Sequence, residues 1–293
     1  GYSSMIYIPQ QITNFTYSNI VETVLAFNPS TAYLVGQKCR VGTYHYISTY
    51  GTVSLPNIGK EPLSNLGLAW MKLENEPSNT YACLDPYEET KTTWVANGVL
   101  EFLRETKTTL GIGNFQASQV KIEYRDNSGT VLETQVFDFL SNEYIFDEWD
   151  MLYADFSNST SKVMFLPLLR VGTKIRVIFS RDGESTYCGY LHAGKAVDMG
   201  MTLNGVSFPF TTIGTKRIKV ANFNTKIEKN RVLVKADEAS ALINEPMLFI
   251  IDESETSDHQ NMVILGKIKQ CSPDATVSTM NQISWQIEQT ILS

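Results

Sequence analysis

Tyr33, Gly36, Tyr44, Tyr46 and Trp70 stand in and just after the polar stretch FNPSTAYLVGQKCRVGTYHYISTY, residues 27–50. Aromatic side chains spaced in this way have two physical uses. An aromatic face complements the C–H surface of a sugar ring, so a coplanar set can hold polysaccharide. A module this short also contains little other apolar material, and its aromatics must then supply its core. Tyr33 and Trp70 read as core. Tyr44 and Tyr46 lie two residues apart on an expected strand and point to one face, with His45 on the other, which makes them the better candidates for an exposed platform. All four remain candidate carbohydrate-binding residues.

A second chemistry is suggested by VFDFLSNEYIFDEWDMLYADFSNST. No basic residue falls between Arg125 and Lys162, while Asp126, Glu133, Asp138, Glu143, Asp147, Glu148, Asp150 and Asp155 are all acidic. A glycosidase needs two carboxylates about 5 to 9.5 Å apart across a cleft, and a calcium loop needs several carboxylate oxygens. Interleaved Tyr144, Phe146, Trp149, Tyr153 and Phe156 make strand rims and long loops with buried aromatics the simpler reading, with Asp147, Glu148 and Asp150 on rims rather than around a cleft. His45, His192 and His259 sit in separate segments, away from any metal-ligand spacing. LGIGNF, at Leu110 to Phe115, has two glycines, lacks a third, and leads into a strand, so a dinucleotide reading fails. No nucleophile elbow or phosphate loop occurs. No catalytic residue, metal site or cofactor is expected.

These residues must be positioned by β-structure. Short alternating runs keep meeting Gly, Asn and Asp turns, and long helical periodicity is nearly absent. The 293 residues exceed a usual single domain. With 43% hydrophobic and 19% charged residues, the composition is that of a globular protein. A formal charge of −7 and the absence of a basic cluster argue against nucleic acid. No apolar run is long enough to span a bilayer, and the start lacks a signal-peptide pattern, so membrane insertion and export are not expected. Gly1 to Ser4 before Met5 read as an added segment. Cys39, Cys83, Cys188 and Cys271 are widely spaced and read as free thiols of a reducing compartment.

The pattern divides into three units. Residues 5–92 form a small β-module with a linker, and Gly51 to Leu66 within it is a loop carrying Pro56, Gly59 and Pro62. Residues 93–190 form a jelly-roll-like sandwich. Within it, Val120, Ile122 and Tyr124 alternate with Lys121, Glu123 and Arg125 ahead of an Asp126 to Gly129 turn and a return strand at Val131. In GTKIRVIFSRDG, Ile175, Val177 and Phe179 share a face. Residues 191–293 form a β-sandwich with one short helix, EASALINE, capped by Asp237 and closed by Pro246. Its last strand places Ile283, Trp285, Ile287 and Ile291 on one face, and Gln282, Ser284, Gln286 and Glu288 on the other.

Two resemblances add to this reading. STAYLVGQKCRV, YHYIST and GKEPLSNLGLAWMKL resemble short chitin- or cellulose-binding modules in the order of Tyr33, Gly36, Tyr46, Pro62 and Trp70, with Cys39 where valine is usual. ITNFTYSNIVET before the module is similar to the flanks of tail structural proteins of long-tailed bacteriophages and prophages, as is EPSNTYACLDPYEETKT after it. Ser78, Asn79, Ala82 and Asp85 match a Thr/Ser-Asn-x-x-Ala-x-x-Asp stretch of that family. CGYLHAGKAVDMGMTLNGVSFPF resembles the exit of its middle sandwich, and NEPMLFIIDESE with NMVILGKIKQCSPDATVSTMNQISWQIEQTI its closing strands. TTIGTKRIKV lacks the family's Asp-x-x-Gly-Asn turn.

The resemblance implies a non-enzymatic virion protein, made in the host cytoplasm, at the tail tip as a distal-tail or baseplate adaptor. Its partners would be other tail proteins in a homo-oligomeric ring, with host-surface polysaccharide as a further partner. The alternatives are a stand-alone glycan-binding protein and, more weakly, a glycoside hydrolase.

Overall fold

The computed structural model describes residues 4–139, 152–155, 162–203, 210–213, 216–228, 230–251, 263–274 and 281–292. The protein is mainly β, 52% strand and 7% helix, in several antiparallel sheets. In chain order the elements begin with β1 (Ser4–Pro9), β2 (Tyr17–Ser18), β3 (Lys38–Val41), β4 (Tyr44–Ser48), β5 (Trp70–Pro77) and the short α1 (Asn79–Ala82). Next come β6 (Thr92–Trp94), β7 (Gly98–Leu103), β8 (Thr109–Gln116), β9 (Gln119–Arg125), β10 (Val131–Asp138), β11 (Leu152–Asp155) and β12 (Lys162–Pro167). The chain continues through β13 (Lys174–Ser180), β14 (Thr186–Gly194), β15 (Val197–Thr202), β16 (Phe210–Ile213) and β17 (Lys216–Lys226). It ends with α2 (Val232–Ser240), β18 (Met247–Ile250), β19 (Val263–Asp274) and β20 (Gln282–Gln289).

The middle unit is a sandwich of two five-stranded sheets, β10-β9-β13-β7-β2 and β11-β12-β8-β14-β6. Strict alternation builds its core. Val120, Ile122 and Tyr124 on β9 and Ile175, Val177 and Phe179 on β13 are fully buried, while Lys121 and Arg176 turn outward. The expected hairpin pairs β9 with β10 across the Asp126 to Gly129 turn, where the Asp126 carboxylate accepts from the backbone N–H groups of Ser128 and Thr130.

In the C-terminal unit the strands run β15-β1-β18-β19-β20-β17-β16, and β15 also pairs with β17. That extra pairing closes six strands into a ring, with β16 extending from its rim. The ring is discontinuous in sequence, because β1 comes from the N-terminal end and pairs with β15 and β18. The small module and the sandwich are therefore inserted between two strands of the barrel. Met5, Tyr7, Phe223, Phe249, Trp285 and Ile287 fill the interior with Val232, Ala236 and Ala239 of α2.

The helix differs from the expected one. Val232, Ala236 and Ala239 are buried at helical spacing, so the helix lies earlier in the chain and Asp237 falls inside it. Arg231 holds the cap position without a side-chain hydrogen bond. The chain leaves through Asn244 at φ 69°, just ahead of Pro246. On β20, Ile283, Trp285 and Ile287 face inward as expected, but the strand ends at Gln289. Beyond that point Thr290 and Leu292 are buried instead of Ile291.

Sandwich and barrel share a second apolar layer. Ile6 and Ile8 of β1, Leu248 and Ile250 of β18, and Leu265 of β19 pack outward against Phe165 and Tyr190 of the sandwich. Polar contacts add to it: Lys216 lies 3.2 Å from Glu89 and donates to the Leu292 carbonyl.

Candidate functional site

The module is a three-stranded sheet, β3-β4-β5, around an aromatic cluster. Trp70 is completely buried at the start of β5, and its indole N–H donates to the Lys60 carbonyl at 2.7 Å. Tyr33 meets it edge-on, with ring centroids 5.0 Å apart at 75°, and Phe27 lies nearly parallel to Tyr33 at 5.8 Å. The Tyr33 hydroxyl accepts from the Asn28 N–H. Gly51 lets the 51–66 loop close over this cluster: its φ is 128°, and a Cβ there would run into the Tyr33 carbonyl. Tyr33 and Trp70 thus lie in the core, where no sugar ring reaches their faces.

The expected platform of Tyr44 and Tyr46 is not formed. Tyr46 is buried in the same cluster. Tyr44 shares its face, as alternation requires, and packs on the cluster from one side while the Lys72 ammonium covers its ring at 4.0 Å. Its edge meets Tyr81 of the segment leading into the sandwich, with centroids 6.1 Å apart. With so few apolar residues in a three-stranded module, both tyrosines are drawn into packing. His45, on the opposite face of β4, is also buried, and its Nδ1 lies 3.7 Å from Glu76.

The module is fastened to the sandwich through Glu22. Its carboxylate accepts from the Asn79 and Thr80 N–H groups and from the Thr80 hydroxyl at 2.7 to 3.0 Å. Burial raises its pKa, but the Thr80 and Asn79 hydrogen bonds and the Arg40 charge outweigh that and hold it below the usual carboxylate range. Nearby, Asp85 is buried with the Thr90 hydroxyl 2.5 Å from one oxygen and the Tyr87 N–H donating to the other. Burial dominates here and pushes Asp85 up to about 7, with Glu89 adding to the effect and the two hydrogen bonds opposing it.

The module also holds aliphatic side chains in solvent. Val53 (90% exposed), Leu55, Ile58, Leu63, Leu66 and Leu68 (78%) all stand out from residues 51–68. The charged residues in that segment are Lys60 and Glu61. Loop aliphatics among Pro, Ser and Gly carry no periodicity that would reveal their exposure in the sequence.

Glu143, Asp147, Glu148, Trp149, Asp150 and His259 lie outside the described residues. Among the described residues, no group of three or more His, Cys, Asp or Glu side chains is placed to hold a metal ion, and no helix is long and apolar enough to cross a membrane. All four cysteines are free, and burial raises the pKa of each thiol. The LGIGNF glycines lie within β8, where Gly111 packs under Leu248 and Gly113 under Tyr190. Comparisons of the chain with protein-family models, curated proteins and solved structures return no match.

Proposed function

We propose that the protein is a non-enzymatic structural component of the tail tip of a long-tailed bacteriophage or prophage, a distal-tail or baseplate-type adaptor that assembles with its own copies and with other tail proteins. The observation that carries this reading is the aliphatic surface of the module, residues 51–68, held on a body in which sandwich and barrel share an apolar layer. Several large aliphatic side chains held in water by one segment are costly to leave there and are suited to burial in an assembly. The sequence resemblance to tail proteins supplies the class of assembly.

Antibodies raised against the full chain, applied to tails purified from an induced host and viewed by electron microscopy, test it. Label at the end of the tail opposite the capsid is expected. Tails that contain the chain's peptides by mass spectrometry yet label along the shaft, or tails that lack those peptides, would overturn it.

A further inference from the structure

Three adjacent strands on the outer face of the barrel bring uncharged polar side chains together. Asn222 of β17 pairs with Gln286 of β20, which pairs with Gln270 of β19. On the next outward rung, Asn224 pairs with Ser284 and Ser284 with Ser272. The alternate residues Phe223 and Trp285 turn into the core, so these six face outward. A groove of about 390 Å³ lies over this face. The rungs on either side carry charge, with Lys226 beyond Asn224 and the Glu288–Lys267 pair beyond Gln286. Between them the paired positions that line the groove form a window that carries no ionisable side chain, on a chain whose net charge is −7; Lys269, exposed at the bulge beside Gln270, reaches away to the Asn244 side-chain oxygen at 3.4 Å.

The hydrogen-bonding state of the window narrows what fits it. Ser284 donates to the Asn224 side-chain oxygen at 2.8 Å, which leaves the Asn224 NH₂ to donate outward. The Gln270 NH₂ reaches Ser272 at 3.3 Å and leaves the Gln270 carbonyl as an acceptor. The amides of Asn222 and Gln286 are partly buried and make no side-chain hydrogen bond to another described residue. Carboxamides both donate and accept, as hydroxyl groups do, and neighbouring strands set them about 4.8 Å apart in rows. An anionic ligand would call for a cation in the groove, and a cationic ligand for a carboxylate.

We infer that this window binds a neutral oligosaccharide through paired amide contacts to its hydroxyl groups. The inference does not depend on the tail assignment, since it concerns one face of the isolated chain. It also moves the glycan contact away from the N-terminal aromatics, which are occupied as core.

The test is titration of the full chain with neutral hexasaccharides of glucose, mannose and N-acetylglucosamine, and with a hexamer of galacturonic acid as the charged comparison. Binding of at least one neutral hexamer in preference to the acidic one is expected. The Asn222→Ala/Gln286→Ala variant should weaken it by about tenfold or more, the effect of losing two hydrogen bonds, with an unchanged melting temperature. Asn224→Asp, which keeps the shape and adds charge, should weaken it as well, and Leu68→Ser should not. Full affinity in both window variants would place the contact elsewhere and overturn the inference. So would preference for the acidic hexamer, or no neutral hexamer bound at about millimolar concentration. Failure here with tail-end antibody label intact would remove the glycan site and leave the tail assignment standing.

Discussion

Tyr33 meets the indole of Trp70 edge-on at 5.0 Å, and the Trp70 N–H is spent on the Lys60 carbonyl. The pair closes the module from inside and also ties down the loop that displays its aliphatic residues. Trp70→Ala is expected to cost about 3 to 5 kcal/mol and to unfold the module. Trp70→Phe should cost less, since it keeps most of the packing and gives up the hydrogen bond, worth about 1 kcal/mol. Hydrogen exchange measured by mass spectrometry on the full chain checks both. Protection should fall over residues 27–73 and persist in the sandwich and barrel, and loss of protection throughout would contradict the module's independence.

Gly113 lies directly across from Tyr190 in the β8–β14 pairing, and a Cβ on residue 113 would fall within the Tyr190 ring. Tyr190 is in turn part of the layer joining sandwich to barrel. Gly113→Ala must displace a buried ring and is expected to destabilise by about 1 to 3 kcal/mol or more. A thermal melt comparing it with Gly183→Ala tests this, since residue 183 has open space around it but a φ of 78°. The Gly183 variant should show a backbone cost of about 1 kcal/mol. Equal melting shifts would mean that the Tyr190 contact adds nothing.

The parts legible in sequence are those with one buried face. Lys174–Ser180 alternates cleanly, and Val120, Ile122 and Tyr124 of the Gln119–Arg125 strand mark its buried side, because one side meets the sandwich core and the other faces outward. MIYI near the start and MLFI at residues 247–250 carry no alternation, because β1 and β18 are buried by the barrel interior on one side and by the sandwich on the other. Their pairing joins segments more than two hundred residues apart, which no local pattern reports. Gly111 and Gly113 are legible in sequence only as an incomplete dinucleotide-binding motif, since their purpose depends on Leu248 and Tyr190 arriving from elsewhere. The outward Gln282, Ser284, Gln286 and Glu288 were readable from β20 alone. Their neutral neighbours on β17 and β19 were not, because strand order decides which rows meet.

Asp85 gives stability a pH dependence of one sign. Its pKa is about 7 in the fold against 3.8 ordinarily, so between those values the folded chain holds a proton that the unfolded chain has released. Its contribution is fully present below about pH 4 and is lost as pH rises through about 7, with a limiting slope of about 1.4 kcal/mol per pH unit. Asp85→Asn removes the ionisation and can still receive the Tyr87 N–H. Relative to the unaltered chain, the variant should gain stability between pH 5 and pH 8 in denaturant titrations. A difference between the two that stays flat over that interval would show that Asp85 is not held protonated.

His192 acts in the opposite direction. It lies in β14 opposite Gly111 and is 2% exposed, and among the described residues neither ring nitrogen makes a well-formed hydrogen bond, with only a marginal contact to the Ile8 backbone. Burial pushes its pKa down from 6.5 to about 4, and the Ile8 backbone beside it offsets this only in part. The folded chain therefore keeps the imidazole neutral where the unfolded chain takes up a proton. The stability from His192 is present above about pH 6.5 and is lost as pH falls towards 4, a total on the order of 3 kcal/mol. Ile8 belongs to the layer between barrel and sandwich, so protonation strikes at the joint between those two bodies. His192→Leu is expected to remove this acid sensitivity while leaving the joint packed. Denaturation midpoints at pH 4.5 and 7 should then converge for the variant relative to the unaltered chain, after subtraction of the Asp85 effect in an Asp85→Asn background. If they fail to converge, the acid response arises from a group other than His192.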